Sequence, residues 1–254
     1  MSPGEIIFLV IAGILGGALN AVAGGGSFIA FPALLFVGIP PIPANATNTV
    51  ALWTGVTAST GAYRSRLKLA RRVMVPLFVA SAIGGLGGAW LLLKTPPHTF
   101  LRILPWLMLA ATLLFLFGNR LAGNRPSGLA HDASTSTLVI AVLFEFFVAI
   151  YGGYFGGGVG IMNLAMLAAL GMTDIHAMNA LKTTLGMAIN GIAVLTFVVA
   201  GAVAWRQGLW IILGAILGGY LGAHYAQKLP RGLVRASVVI VGVAMTAYFF
   251  VKDW

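Results

Sequence analysis

Residues 23–52 read AGGGSFIAFPALLFVGIPPIPANATNTVAL, and residues 155–192 read FGGGVGIMNLAMLAALGMTDIHAMNALKTTLGMAINGI. In both stretches a glycine triplet breaks an apolar run, since glycine is a poor residue for a helix interior. Beyond the break lies another apolar run, Phe28 to Ile39 in one case and Val159 to Met172 in the other. Crossing a hydrocarbon core of about 30 Å takes about 20 helical residues, so neither run is long enough to span comfortably. Each therefore reads as a half-helix returning from a hairpin.

Outward from these stretches, eight longer apolar runs cover residues 6–23, 45–63, 73–93, 100–118, 137–155, 177–200, 208–226 and 233–251. Each is compatible with a spanning helix. The chain is 59% hydrophobic and only 8% charged, with a mean hydropathy of +0.99. A soluble domain carries about 25% charged residues, so water is not the main solvent here. The fold class expected is an all-α polytopic membrane protein. The run Ile6 to Ala23 is preceded by Glu5 rather than a basic segment, and is read as structural rather than as a cleaved signal peptide.

The net charge of +10 does not point to nucleic acid, because the basic residues lie in short gaps between apolar runs. The absence of cysteine excludes disulfides, thiolate metal sites and a thiol nucleophile. No HExxH, GxSxG or GxxxxGK[ST] pattern occurs, so hydrolytic and nucleotide chemistry has no visible apparatus. No enzyme, metal or cofactor is expected, and the partners implied are a bilayer and a small solute, with a homo-oligomer left open.

The chain is internally duplicated. IGGLGGAW from Ile83 corresponds to LGGYLGAHY from Leu217, Lys94 to Lys228, and Asn45 to Asn179, all at an offset of 134. Allowing a gap, Gly24 to Gly26 correspond to Gly156 to Gly158. A polar linker at 119–136, rich in Gly, Pro, Ser and Thr, separates a first repeat, 1–118, from a second, 137–254. Arg64, Arg66, Lys68, Arg71 and Arg72 place one loop of the first repeat in the cytoplasm, whereas its counterpart carries only Arg206. In the second repeat the basic cluster, Lys228, Arg231 and Arg235, sits one loop later. Each repeat holds a broken, re-entrant hairpin followed by three spanning helices, an odd number of segments, so the repeats are expected to have inverted topology. That architecture recurs in secondary transporters, with the substrate site near the midplane where broken helices meet.

Two constellations could carry function. The first is the pair of hairpin tips, Gly24, Gly25, Gly26 and Ser27 with Gly156, Gly157 and Gly158, where backbone N–H groups and helix N-termini would attract an anion. By contrast, Gly84, Gly85, Gly88, Gly218, Gly219 and Gly222 are read as helix-packing positions. The second is the polar face of the next helix: Asn179, Lys182, Thr183, Gly186 and Asn190 follow at three- and four-residue steps, with Asn45, Asn48 and Thr49 beginning the matching face. Lys182 corresponds to the neutral Asn48. A lysine at a helix centre costs about 2.5–3.5 kcal/mol on insertion scales and should face protein, water or ligand, or else snorkel to the surface. Glu145, among Phe144, Phe146 and Phe147, is suited to carry a coupling proton or pair with a cation, and equally to a purely structural role.

The two quoted stretches together resemble the sulfite exporter TauE/SafE family, and the resemblance extends over essentially the whole chain, including its length, duplication and central basic linker. It implies an inner-membrane, multi-pass carrier of small sulfur-containing anions such as sulfite, thiosulfate, sulfoacetate or related organosulfonates. It also points to the tips Gly24 to Ser27 and Gly156 to Val159 and to the start of the following helices. The reading that results is an exporter working by alternating access, one repeat rocking against the other. Lys182 would balance the anion's charge while glycine N–H groups, Asn48, Thr49, Thr183 and Asn190 bind its oxygens. The alternatives are a passive anion channel, a carrier of another small organic anion, and a membrane-embedded enzyme or non-transporting partner in a larger complex, for which no motif speaks.

Overall fold

The computed structural model describes residues 1–63, 71–121, 134–170, 172, 175–225 and 231–252. Arg64, Arg66, Lys68, Arg125, Asp174 and Lys228 lie outside the described residues. Among those described there are ten helices and no strand: α1 (Pro3–Ala23), α2 (Ser27–Phe36), α3 (Pro41–Tyr63), α4 (Arg71–Lys94), α5 (Pro97–Leu121), α6 (Thr135–Tyr154), α7 (Val159–Ala169), α8 (Ile175–Val199), α9 (Trp205–Tyr225) and α10 (Arg231–Val251). The all-α polytopic expectation holds. α5 runs on through Leu121 and α6 starts at Thr135, both within the 119–136 segment read as a linker.

Local chemistry accounts for the breaks. α1 starts at a capping box in which Ser2 Oγ accepts from the Glu5 amide at 3.2 Å and Glu5 Oε2 accepts from the Ser2 amide at 2.8 Å. It stops at Gly24, which takes the left-handed conformation (φ 77°) that a residue with a Cβ rarely adopts. The same change of direction follows α6, where Gly156 has φ 83°. α2 then turns back along α1, since a Cβ on Gly16 would lie 3.3 Å from the Cβ of Ala30.

By length and composition, four of the described helical segments are apolar enough to cross a membrane: Pro3–Ala21, Arg71–Lys94, Thr135–Tyr154 and Ala180–Val199. α3, α5, α9 and α10 are of similar length, 21 to 25 residues, but more polar or only partly described. Large apolar side chains including Ile7, Leu15, Trp106, Phe147 and Tyr220 point outward, the reverse of a water-soluble surface. The buried set instead contains polar groups: Ser27, Asn45, Asn48, Thr49, Ser81, Glu145, Asn163 and Thr183.

The most extensive helix pairing joins opposite halves, α1 with α9 and α4 with α6. These two contacts are equivalent under exchange of the repeats, as are α3 on α9 and α4 on α8. Small residues make them close. A Cβ on Gly84 would meet Ala149, and one on Gly88 the carbonyl of Ile150, across α4 and α6. Across α1 and α9, Gly218 faces the backbone of Ile14 and Gly222 that of Ala18. Gly85 lies against Ile189 of α8. The packing role expected for these glycines is therefore what they perform, except that Gly219 is looser, its nearest neighbour being Gly55 Cα at 3.7 Å.

Candidate functional site

An internal cavity of about 70 Å³ lies between the two halves. Its wall is built from equivalent positions of the two repeats: Gly24 and Gly156, Ser27 and Val159, Thr49 and Thr183, Leu52 and Gly186, Val56 and Asn190. Lys182 joins them, its side chain running past Gly160, where an added Cβ would lie 3.3 Å from the lysine Cδ. Among the described residues no acidic side chain lines the cavity. The chamber thus presents one ammonium group, the amides of Asn20 and Asn190, and the hydroxyls of Ser27, Thr49 and Thr183, the two threonines donating in this conformation to Asn45 O at 2.9 Å and Ala180 O at 3.0 Å. That set suits a small anion with several acceptor oxygens.

The two halves differ in a complementary way. The hydrogen-bond register at the start of the short helices is the same, with Ile29 and Ala30 donating to Gly26 O where Ile161 and Met162 donate to Gly158 O. By that register Phe28 corresponds to Gly160. On the α7 side a glycine leaves room for the long Lys182, whereas on the α2 side the bulky Phe28 is paired with the short Asn48. Asn48 Nδ2 donates to Ser27 Oγ at 3.1 Å, and its buried Oδ1 has no partner among the described residues.

Of the residues expected from the sequence, Gly24, Ser27, Thr49, Gly156, Lys182, Thr183 and Asn190 line this one cavity. Asn48 stands directly behind Ser27. Gly25, Gly26, Gly157 and Gly158 are not in the lining. Gly26 is pressed against Asn20 and Leu52, Gly158 faces Ala111, and the carbonyl of Gly157 accepts from the Tyr151 hydroxyl at 2.7 Å. These four shape the tips rather than the chamber wall. Asn45, at the polar end of α3, ties that helix to the other half by donating to Tyr154 O at 2.9 Å.

Glu145 lies elsewhere, fully buried between α6 and α4, where Ser81 donates to its Oε1 and its Oε2 has no partner among the described residues. Sequence reasoning missed Asn20, although it is the sole polar side chain in the run Ile6 to Ala23, and Gly160, whose contribution is space for a side chain of another helix.

The profile described as sulfite exporter TauE/SafE matches residues 9–249. The chain belongs to the sulfite exporter TauE/SafE family. A probable membrane transporter protein of Haemophilus influenzae is 32% identical, covering 95% of this chain and 93% of its own length. One from Sinorhizobium sp, ORF9, is 31% identical over 94% of this chain and 90% of its own. The Escherichia coli K12 probable membrane transporter YfcA is 27% identical, with 97% and 90% covered. No solved structure matches the chain. As a TauE/SafE member it is a membrane transporter rather than an enzyme, and it resides in the membrane.

Proposed function

We propose that this TauE/SafE protein is a secondary transporter of a small sulfur-containing oxyanion, working as an exporter in the inner membrane by alternating access, with its site in the cavity between the two glycine-rich hairpins. The observation that carries this reading is Lys182 standing in a chamber with no acidic side chain among its described lining residues. An ammonium group buried in that setting calls for an anion as its counter-charge. Thr49, Thr183, Ser27, Asn20 and Asn190 supply hydrogen-bonding groups for its oxygens, with Asn48 holding Ser27 in place.

Size narrows the substrate. A water needs about 10–15 Å³ of such space, so a cavity of about 70 Å³ accommodates a compact ion. Sulfite and thiosulfate are ions of that kind. The exchange of packing partners between halves supports a two-fold arrangement, and the odd number of segments per repeat and the switch of basic loops favour an inverted one. Glu145 is assigned the coupling proton, because it is buried among apolar helices and its Oε2 has no partner among the described residues. Glu145→Gln should therefore exchange anion across a vesicle membrane yet fail to accumulate it when a pH gradient is imposed. Gradient-driven accumulation at the wild-type level in that variant would remove Glu145 from the mechanism.

The deciding experiment is binding to purified protein, followed by thermal shift, across sulfite, thiosulfate, sulfoacetate, taurine, sulfate and chloride, with Lys182→Ala alongside. A ligand stabilises the state it binds. Stabilisation by sulfite or thiosulfate, lost in Lys182→Ala, is expected. Folded protein indifferent to every one of these anions would refute the proposed substrate class.

A further inference from the structure

Asn163, in the middle of α7, is fully buried, and among the described residues neither of its amide atoms has a hydrogen-bond partner. Buried amides are almost always paired, so a doubly unpaired one needs a reason. Its position supplies one. Asn163 follows Val159 and Gly160 by four and three residues, which puts it one turn further along the same face of α7 that lines the cavity.

By the register shared at the start of the two short helices, the residue equivalent to Asn163 is Phe31. Phe31 is sealed in an aromatic cluster, edge-on to Phe100 at 6.0 Å and to Phe155 at 6.2 Å, and stacked on Phe249 at 6.2 Å. That cluster ties α2 to α5, to the end of α6 and to α10. Along α2 the two successive positions are Phe28 and Phe31; along α7 they are Gly160 and Asn163. One face is closed by rings, while its counterpart offers space and an amide.

We propose that Asn163 is a second polar station for the transported anion, one helical turn from the Lys182 cavity along α7, occluded in this conformation and opened to water and anion when the two walls of the cavity rearrange. The inference rests on the cavity's being an anion site and adds the route by which the anion leaves it. The Asn163 Nδ2–H group would donate to an oxyanion oxygen in passage, and the Phe31 cluster keeps the equivalent path on α2 shut.

The protein contains no cysteine, so single thiols can be introduced without background. Thr183→Cys, Asn163→Cys and Phe31→Cys, each checked for folding by thermal unfolding, are treated in membranes with 2-sulfonatoethyl methanethiosulfonate. The cysteine thiolate attacks the reagent's sulfenyl sulfur, forming a disulfide and releasing methanesulfinate, so only a thiol reached by water and by a sulfonate anion reacts. Thr183→Cys and Asn163→Cys should both be modified, the latter at least about tenfold faster than Phe31→Cys. Leu34→Cys, one turn further along α2 and equally buried, replaces Phe31→Cys if that variant does not fold. Modification of Thr183→Cys with Asn163→Cys as slow as Phe31→Cys would overturn the second station and leave the cavity standing. Equal, rapid labelling at residue 31 would overturn the asymmetry. Failure to label Thr183→Cys as well would bring down the anion cavity itself and the route with it.

Discussion

Lys182 and Gly160 form a unit, because the stem of the lysine occupies the space that a larger residue 160 would fill. A hydrogen bond to a charged group contributes about 1.5–3 kcal/mol, so Lys182→Ala should weaken binding of sulfite roughly ten- to a hundredfold by calorimetry. Unchanged affinity would assign the ammonium to structure alone. Gly160→Val should approach the same loss while the lysine is still present, because the branched side chain displaces it from the cavity. Gly160→Ala needs a shift of only a few tenths of an ångström in a flexible side chain and should bind within about threefold of wild type. Equal binding by the valine and alanine variants would show that the lysine does not depend on this gap. Lys182 was legible in the sequence because a charge within a spanning run has few structural uses, and its three- and four-residue companions marked the face it shares. Asn20 left a fainter mark, a single amide in an otherwise apolar run, with no companions at helical spacing to define a face. Gly160 was invisible for a different reason: its role is defined by a side chain from α8, a neighbour that only the fold supplies.

At the scale of helices, the glycine-lined contacts between α4 and α6 and between α1 and α9 bring backbone against backbone. Gly88→Val and Gly218→Val should each destabilise the protein by about 1–3 kcal/mol, since a side chain there must push into the carbonyls of Ile150 and Ile14. The unfolding midpoint in detergent measures this. Gly87→Ala is the matched control: nothing lies within 4 Å of its added Cβ, so it should be neutral or stabilising by up to about 1 kcal/mol. A control as damaging as the two valine variants would overturn the contact account, since alanine favours the helix over glycine and meets nothing at this position. The long helices and both short ones were legible from run length and from the glycine breaks. The packing role of the GGxGG-type stripes was legible too, because small residues at helical spacing have that use in a bilayer. Which helix each stripe would meet was not, since a stripe specifies closeness and not a partner. Gly25, Gly26, Gly157 and Gly158 look the same in sequence as Gly24 and Gly156, and only the direction of the turn separates wall from support.

For the molecule as a whole, the pairing of α1 with α9 and of α4 with α6 bears on what can move. If one sequence half rocked against the other, both glycine-packed interfaces would have to slide, because each joins the two halves. Two mixed bundles avoid that difficulty: α1, α2, α3 and α9 in one, and α4, α6, α7 and α8 in the other. The cavity wall divides along the same line, with Asn20, Gly24, Ser27 and Thr49 on the first bundle and Gly156, Gly160, Lys182 and Asn190 on the second. The bundles meet where α3 crosses α8, and there Trp53 Nε1 donates to Met187 O at 3.3 Å. Duplication was visible in the sequence, but this exchange of α4 and α9 was not, because repeat matching reports equivalence and says nothing of contact. It yields a test that the cysteine-free chain makes simple. A bifunctional thiol reagent bridging Trp53→Cys to Met187→Cys should stop anion flux through vesicles, and reversal of the bridge should restore it. The same reagent bridging Arg72→Cys to Thr135→Cys, positions linked across α4 and α6 by a hydrogen bond of 3.2 Å, lies within one bundle and should leave flux near its uncross-linked value. Inhibition by both bridges, each of which joins the two sequence halves, would show that those halves, and not the mixed bundles, are the moving bodies.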